Sequence, residues 1–319
     1  METIIIDGLA FALPLFIIAI GGIYCERSGI TNLALEGLMG MGAFTGALAV
    51  VLTQNLFPAQ SSIPFYIAIF FAMLGSMIYA MLHGLVCIKF KANQVISGVV
   101  MNILAIALTG FLTSQLNTVI FGKPSSKFVL GVLERFSIPG LSEIPVIGGF
   151  FKDIYPFQGI IIVIAIIAWY VLYQTRYGMR LRACGDNPHA VDAGGGDVAK
   201  IRFSAIMISG ALAGLGGICF AYSISANFSS SIYVGYGYLA IAALIFGNWK
   251  IVPTLIACIL FGFARSGGYM VSSVLELPSS FSDLIMTLPY ILTMILLIFF
   301  SKNNNPPRAL GEIYDKGKR

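Results

Sequence analysis

The chain has 319 residues, of which 58% are hydrophobic and only 10% charged, with 24 Phe, 35 Gly and a net charge of +5. A water-soluble domain of this length carries roughly a quarter charged residues, so a single core in water is excluded and a lipid environment is indicated. The excess of Lys and Arg does not by itself argue for nucleic acid, because membrane proteins gather basic residues on one side of the bilayer.

In chain order, apolar stretches near the roughly 20 residues that a spanning helix needs cover 8–24, 33–53, 63–88, 94–116, 157–175, 203–223, 236–248, 251–272 and 284–301. The seventh is short for a full crossing and reads as broken or re-entrant. The opening METIIID lacks a basic region, so the first stretch is expected to be a retained helix rather than a cleaved leader. With the first segment running inward, one side receives Arg27, Lys89, Lys91, Arg176, Arg180, Arg182, Lys200, Arg202, Lys250 and the tail residues Lys302, Arg308, Lys316, Lys318 and Arg319. The other receives Lys123, Lys127, Arg135 and Lys152, largely offset by Glu134, Glu143 and Asp153. The positive-inside rule makes the first side cytoplasmic. The expectation is an all-α integral membrane protein with about nine transmembrane helices, N-terminus outside and C-terminus inside. Residues 1–301 form the transmembrane domain and 302–319 a cytoplasmic tail. This assignment depends on the seventh segment crossing.

Within the spans, Gly98, Asn102, Ala105, Thr109 and Thr113 recur at near-helical spacing and give one polar, small-residue face to the fourth segment. Such a face either lines a pathway or bonds neighbouring helices while small residues allow close packing. Arg265 is the one Lys or Arg buried inside a predicted span, and an intramembrane charge is a functional hypothesis by default. Three readings stay open for it: facing a cavity, pairing with Glu36 or Asp283, or snorkelling to the outer surface. Glu36 is expected to accept hydrogen bonds from the backbone of Ser28 to Asn32, or to pair with Arg27. The pairs Gly42/Gly46 and Gly210/Gly214 read as close-approach motifs. His83 reads as a packed, hydrogen-bonded histidine. Five scattered cysteines without a CxxC pair, and two distant histidines, suggest no metal site. No cofactor is expected.

The connection 176–202 reads RYGMRLRACGDNPHAVDAGGGDVAKIR. Asn187 is a good N-cap, Pro188 suits the first helical position, and Gly194 to Gly196 end the run, which predicts a helix of about two turns near 187–194. Presenting Ala190, Val191 and Ala193, it suits docking into a partner's groove or serves as a solvated link. NLALEGLMGMGAFTGAL and GYGYLAIAALIFGNWKI, one in each half, suggest an inverted internal repeat around a midplane site.

These residues carry a resemblance. GMRLRACGDNPHAVDA followed by SGALAGLGG, from Tyr177 to Gly217, is similar to the coupling-helix region of permeases of the branched-chain amino acid and ribose type in ATP-binding-cassette importers. ERSGITNLALEGLMGMGAF, NQVISGVVMN and GYGYLAIAALIFGNWKIVPTLIACILFG resemble its other signatures in order. The tail PPRALGEIY is similar to that of the nucleoside and simple-sugar branch.

The resemblance implies a non-catalytic permease in the bacterial plasma membrane. It would work with a second permease, two ATP-binding subunits and an external substrate-binding lipoprotein. The short form would be the second of two unlike permeases. It places Asn187, Pro188, His189, Ala190, Val191 and Asp192 at the ATPase contact, with the departure that the family usually carries an aliphatic residue where Gly196 stands. The chain has no G-x-x-x-x-G-K-[ST] loop with which to hydrolyse ATP itself. Nucleosides come first among the implied substrates, then ribose-type sugars, then branched-chain amino acids. An intramembrane enzyme is disfavoured by the lack of HExxH and GxSxG motifs, and a self-sufficient channel or carrier has no need of a docking helix.

Overall fold

The computed structural model describes residues 2–58, 61–144, 147–276, 278, 287–300 and 304–317. Among these, seven helices are long and apolar enough to cross a membrane. They are α1 (Glu2–Arg27), α2 (Leu35–Thr53), α3 (Ile63–Gly84), α4 (Gln94–Phe121), α5 (Pro156–Gln174), α8 (Val198–Ile224) and α10 (Ile251–Val274). Two short helices, α6 (Arg176–Asp186) and α7 (Pro188–Ala193), connect α5 to α8. α9 (Tyr236–Phe246) and α11 (Leu288–Phe300) are shorter apolar helices. The protein is a multi-pass membrane protein. The ninth expected segment, 284–301, falls partly outside the described residues.

At the centre α8 packs against α1, α2 and α3, and the buried faces of α1, α2 and α8 are apolar almost all round. Helices that are apolar on every side belong in the interior of a bundle. Both GxxxG pairs lie at this centre. A Cβ on Gly42 would strike the backbone of Gly214, and one on Gly210 would meet Ala80 and Ser76 of α3. The small residues set the interhelical distance, as expected of such pairs. α5 and much of α3 and α4 turn long apolar side chains such as Phe70, Ile103 and Ile166 outward, as lipid-facing helices do.

The helix ends define two faces. At the Glu2 face, Lys152 pairs with Glu2 at 2.8 Å, and strand β1 (Lys127–Val129) pairs antiparallel with β2 (Asn227–Ser229). At the Arg27 face lie the ends of α3 and α5, the helices α6 and α7, and residues 304–317.

Two non-helical segments enter the bundle from opposite faces. Residues 28–34 leave the Arg27 face and rise along α4 and α8. Ser28 O accepts from Arg202 Nε (3.1 Å), Thr31 N donates to Gln94 Oε1 (2.7 Å), Asn32 Nδ2 to Ser209 Oγ (2.8 Å), and Leu33 O accepts from Asn102 Nδ2 (2.8 Å). From Gln94 to Asn102 is about 12 Å of helix, so α2 starts well inside the bundle. From the Glu2 face, β2 and the turns at 230–235 descend past α4: Tyr233 Oη meets Thr109 Oγ1 at 3.2 Å, and Tyr238 Oη accepts from Asn102 Nδ2 at 2.9 Å. α9 then continues to the Arg27 face, where Trp249 bonds Glu26 through its indole N–H and Arg27 Nε donates to Trp249 O at 3.0 Å.

The eleven residues of α9 extend only about 16 Å, roughly half a hydrocarbon core. The segment is therefore turns followed by a short helix, and its apolar run is too short for a span of regular helix. The two stretches that suggest an internal repeat are the two that enter this way.

Candidate functional site

The starts of α2 and α9 meet inside the bundle. Glu36, in the first turn of α2 and 3% exposed, accepts from Gly235 N at 2.9 Å, the residue before α9. Gly235 has φ +97, a conformation glycine adopts freely, and a Cβ on Gly237 would strike the Glu36 backbone. One carboxylate thus serves two helix N-termini, where unsatisfied N–H groups and the helix dipoles favour negative charge. This corrects the expectation for Glu36. The task of closing the 28–32 backbone belongs to Glu26, which accepts from Asn32 N and from the Trp249 indole. In the sequence Glu26 sits at the end of an apolar run, next to Arg27, and reads as an interfacial charge.

Asn102 is the joint of this crossing. Its Oδ1 accepts from Gly37 N at 2.8 Å, while Nδ2 reaches both Leu33 O and Tyr238 Oη. Thr109 meets Tyr233, and Thr113 Oγ1 donates to Thr109 O at 2.6 Å. Asn102 is 4% exposed, Thr109 and Thr113 fully buried. Farther along the same face Asn117 Nδ2 donates to Thr113 O, Ser125 O and Lys127 O, holding β1. The polar face of α4 bonds the two irregular segments, whose backbone would otherwise be unsatisfied in an apolar interior. His83 is buried, with Nδ1 2.9 Å from Ser97 Oγ.

Arg265 of α10 stands above this crossing among aromatic rings. Its guanidinium carbon is 4.5 Å from the Phe11 ring centre, 5.0 Å from Tyr269 and 5.8 Å from Tyr236, and Nη2 donates to Tyr236 Oη at 3.4 Å. Among the described residues no carboxylate lies within ion-pair distance of it. Glu36 is engaged elsewhere, and Asp283 lies outside the described residues. Arg265 borders two cavities. One of about 660 Å³ opens at the Glu2 face between Asp7, Phe11, Ser223 and Tyr269, and one of about 190 Å³ lies between Phe11, Tyr236, Leu239 and Tyr290. A planar five-donor cation among flat rings can donate hydrogen bonds to a solute's acceptor oxygens while the rings offer stacking faces.

At the Arg27 face α7 has the caps expected of it. Asn187 Oδ1 accepts from Ala190 N at 3.1 Å, Pro188 is the first helical residue, and Gly196 N closes on Val191 O at 2.9 Å. His189 and Ala190 are exposed, Val191 and Asp192 half-buried, and Pro188 is buried. α6 is an element beyond the expected two-turn helix: Thr175 Oγ1 accepts from Gly178 N, and Leu181, Cys184 and Gly185 share its buried side. Its glycines hid that spacing. Between α6 and α7 lies an open groove lined by Met179, Ala183, Ala190 and Val191 and edged by Arg180 and Asp186. The Lys200 backbone N–H that caps onto Asp197, at the start of α8, holds that carboxyl below its ordinary range.

Comparison with known proteins connects these features. Residues 4–299 match the family model described as branched-chain amino acid transport system / permease component. Over 324 residues, covering all of this chain and 98% of the relative, the sequence is 38% identical to the guanosine ABC transporter permease protein NupQ of Bacillus subtilis (strain 168). It is 35% identical to the nucleoside ABC transporter permease protein NupC of Lactococcus lactis subsp. cremoris (strain MG1363), over all of this chain and 98% of that one. It is 30% identical to the uncharacterized protein MG121 of Mycoplasma genitalium, over 97% of this chain and 96% of that one. No solved structure matches the chain significantly. A bundle of apolar helices with two non-helical segments entering from opposite faces, matched over residues 4–299 in this way, belongs to the permease family of branched-chain amino acid transport systems.

Proposed function

We propose that this chain is the transmembrane permease subunit of an ATP-binding-cassette importer for nucleosides. The observation that carries the reading is similarity along the full length to two permeases named for guanosine and nucleoside transport, at 38% and 35% identity. The subunit is non-catalytic. It works with a second permease, two ATP-binding subunits and an external binding lipoprotein in a bacterial inner membrane.

The Arg27 face is cytoplasmic in this reading, because α6, α7, Lys89, Lys91 and Lys250 gather there. Nine crossings follow, from seven long helices, the discontinuous passage through α9, and α11, with residues 1–301 in the membrane domain and 302–319 as the cytoplasmic tail. The N-terminus is then outside and the C-terminus inside. Solute reaches the larger cavity from outside, where the rings beside Arg265 stack on a base and the guanidinium donates to a carbonyl or a ribose hydroxyl. Asn102, Thr109 and Thr113 form the wall that holds the broken segments against this route, and separation of the α2 and α9 starts opens it inward.

Residues Asn187 to Asp192 dock an ATP-binding subunit, with the groove beside α6 extending that surface. A two-turn helix is marginal alone and relies on its caps, so Pro188→Gly and Asp192→Lys are each expected to lower uptake with membrane insertion intact. An Asn187→Ala change removes a cap worth about 1 kcal/mol and is expected to do the same. Uptake assays on membranes carrying equal amounts of each variant check this; unchanged uptake in all three removes the docking assignment. Co-purification of the tagged chain in mild detergent tests the whole reading, which requires recovery of an ATP-binding subunit and a second permease. Recovery of this chain alone contradicts it.

A further inference from the structure

Residues 304–317 run as a strap over the Arg27 face and bond every connection there. Asn305 N donates to Asn248 Oδ1 in the α9–α10 turn at 2.9 Å. Ala309, 3% exposed, donates its N–H to Gly185 O at the end of α6 at 2.8 Å. Gly311 N donates to Gly29 O at 3.0 Å, and Arg202 Nη1 of α8 donates to Glu312 O at 3.0 Å. The Tyr314 ring lies 5.2 Å from His189 of α7. Asp315 pairs with Lys91 at 2.9 Å, and Lys316 with Asp192 of α7 at 3.4 Å.

The ion pairs are exposed and hold little by themselves. Backbone bonds and the buried Pro307 and Ala309 seat the strap. Its middle and its C-terminal part touch different machinery. One side grips α7, which otherwise packs chiefly on α6 and is followed by Gly194, Gly195 and Gly196, a run of three residues with low resistance to bending. The other side grips Gly29 and, through the 2%-exposed Arg202, Ser28 O. Those two residues begin the irregular segment that leads by Asn32 and Leu33 to Glu36 at the start of α2.

From this placement we infer that residues 305–316 are a positioning strap, which makes a displacement of α7 move the 28–34 segment and hence the α2–α9 crossing. Without it, α7 would reach this segment only through α6, whose Gly185 lies against Arg27 and Gly29, and the glycine run would leave its far end free to bend. The inference rests on the reading of α7 as the docking helix for an ATP-binding subunit.

The test uses the assembled importer purified through this chain and reconstituted in vesicles. Two changes are compared with the unmodified chain: truncation after Asn305, and the pair Tyr314→Ala with Lys316→Glu. Uptake of radiolabelled guanosine, ATP hydrolysis, subunit content and alkylation of Cys184 are measured. Cys184 is fully buried beside Gly185, and burial pushes its thiol above the ordinary range, so in the unmodified chain it reacts slowly.

Both changes are expected to keep the ATP-binding subunits bound and hydrolysis near normal, while uptake per ATP falls about tenfold. Truncation is also expected to speed Cys184 alkylation by about tenfold or more. Tyr314→Phe with Lys316→Arg, which keeps the ring and the charge, is expected to retain normal uptake per ATP. Unchanged uptake per ATP in both altered complexes overturns the inference, as does equal loss in the conservative pair. Loss of the ATP-binding subunits from the altered complexes also overturns it, because the strap would then be part of the docking surface. Absence of those subunits from the unmodified complex overturns both this inference and the importer reading beneath it.

Discussion

Gly237→Ala is expected to lower the melting temperature of the purified chain in detergent and to abolish uptake, whereas Gly159→Ala leaves uptake intact and does not lower stability. A Cβ at 237 meets the N, Cα and Cβ atoms of Glu36, which are backbone or anchored to it and cannot rotate away. The two helix starts must separate, which breaks the bond from Gly235 N to Glu36 and pulls Tyr238 from Asn102. Overpacking of this kind costs about 1–3 kcal/mol, and here the loss of buried polar partners adds to it. At Gly159 a Cβ meets nothing within 4 Å, and Ala in a helix interior gains about 0.5–1 kcal/mol over Gly. Thermal unfolding of both variants by fluorescence-monitored gel filtration checks the pair. Equal melting temperatures would show that the crossing at Glu36 is not a tight joint.

Arg265→Ala should reduce uptake by about tenfold or more with the complex still assembled, since hydrogen bonds to charged groups contribute about 1.5–3 kcal/mol. Two features give this position its weight. It is bordered by cavities on both sides, and among the described residues no carboxylate neutralises it. Arg265→Lys should recover little, because a compact ammonium lacks the plane that lies against Phe11 and Tyr269. Initial uptake rates against solute concentration, with subunit content determined on the same membranes, separate the two possible outcomes. Loss of the assembled complex in Arg265→Ala would make the residue a structural brace instead.

Much of the scaffold could be read from composition and run length, because burying backbone in lipid leaves few solutions beyond long apolar helices. The caps of α7 were legible for the same local reason: Asn187, Pro188 and the glycines at 194–196 act within a few residues of themselves. The GxxxG pairs were legible as close contacts, though not their partners, since nothing local says that Gly42 faces Gly214.

What stayed hidden depends on residues distant in the chain. Glu36 and Glu26 are two acids at the edges of apolar runs, and their division of labour is set by Gly235 and Trp249, about 200 positions away. The polar face of α4 is legible as a face in the sequence, but only the path of 28–34 and 230–238 past it reveals what Asn102 and Thr109 bond. The aromatic setting of Arg265 likewise comes from α1, α9 and α10 together.

ATP-driven uptake by the complex purified through this chain, reconstituted into vesicles with its binding protein and offered radiolabelled guanosine, is the most direct test of the central claim. Accumulation that requires ATP, and that unlabelled nucleosides suppress while ribose and leucine do not, is the predicted result. Uptake that ribose or leucine suppresses and nucleosides do not, or that proceeds without ATP, would contradict it.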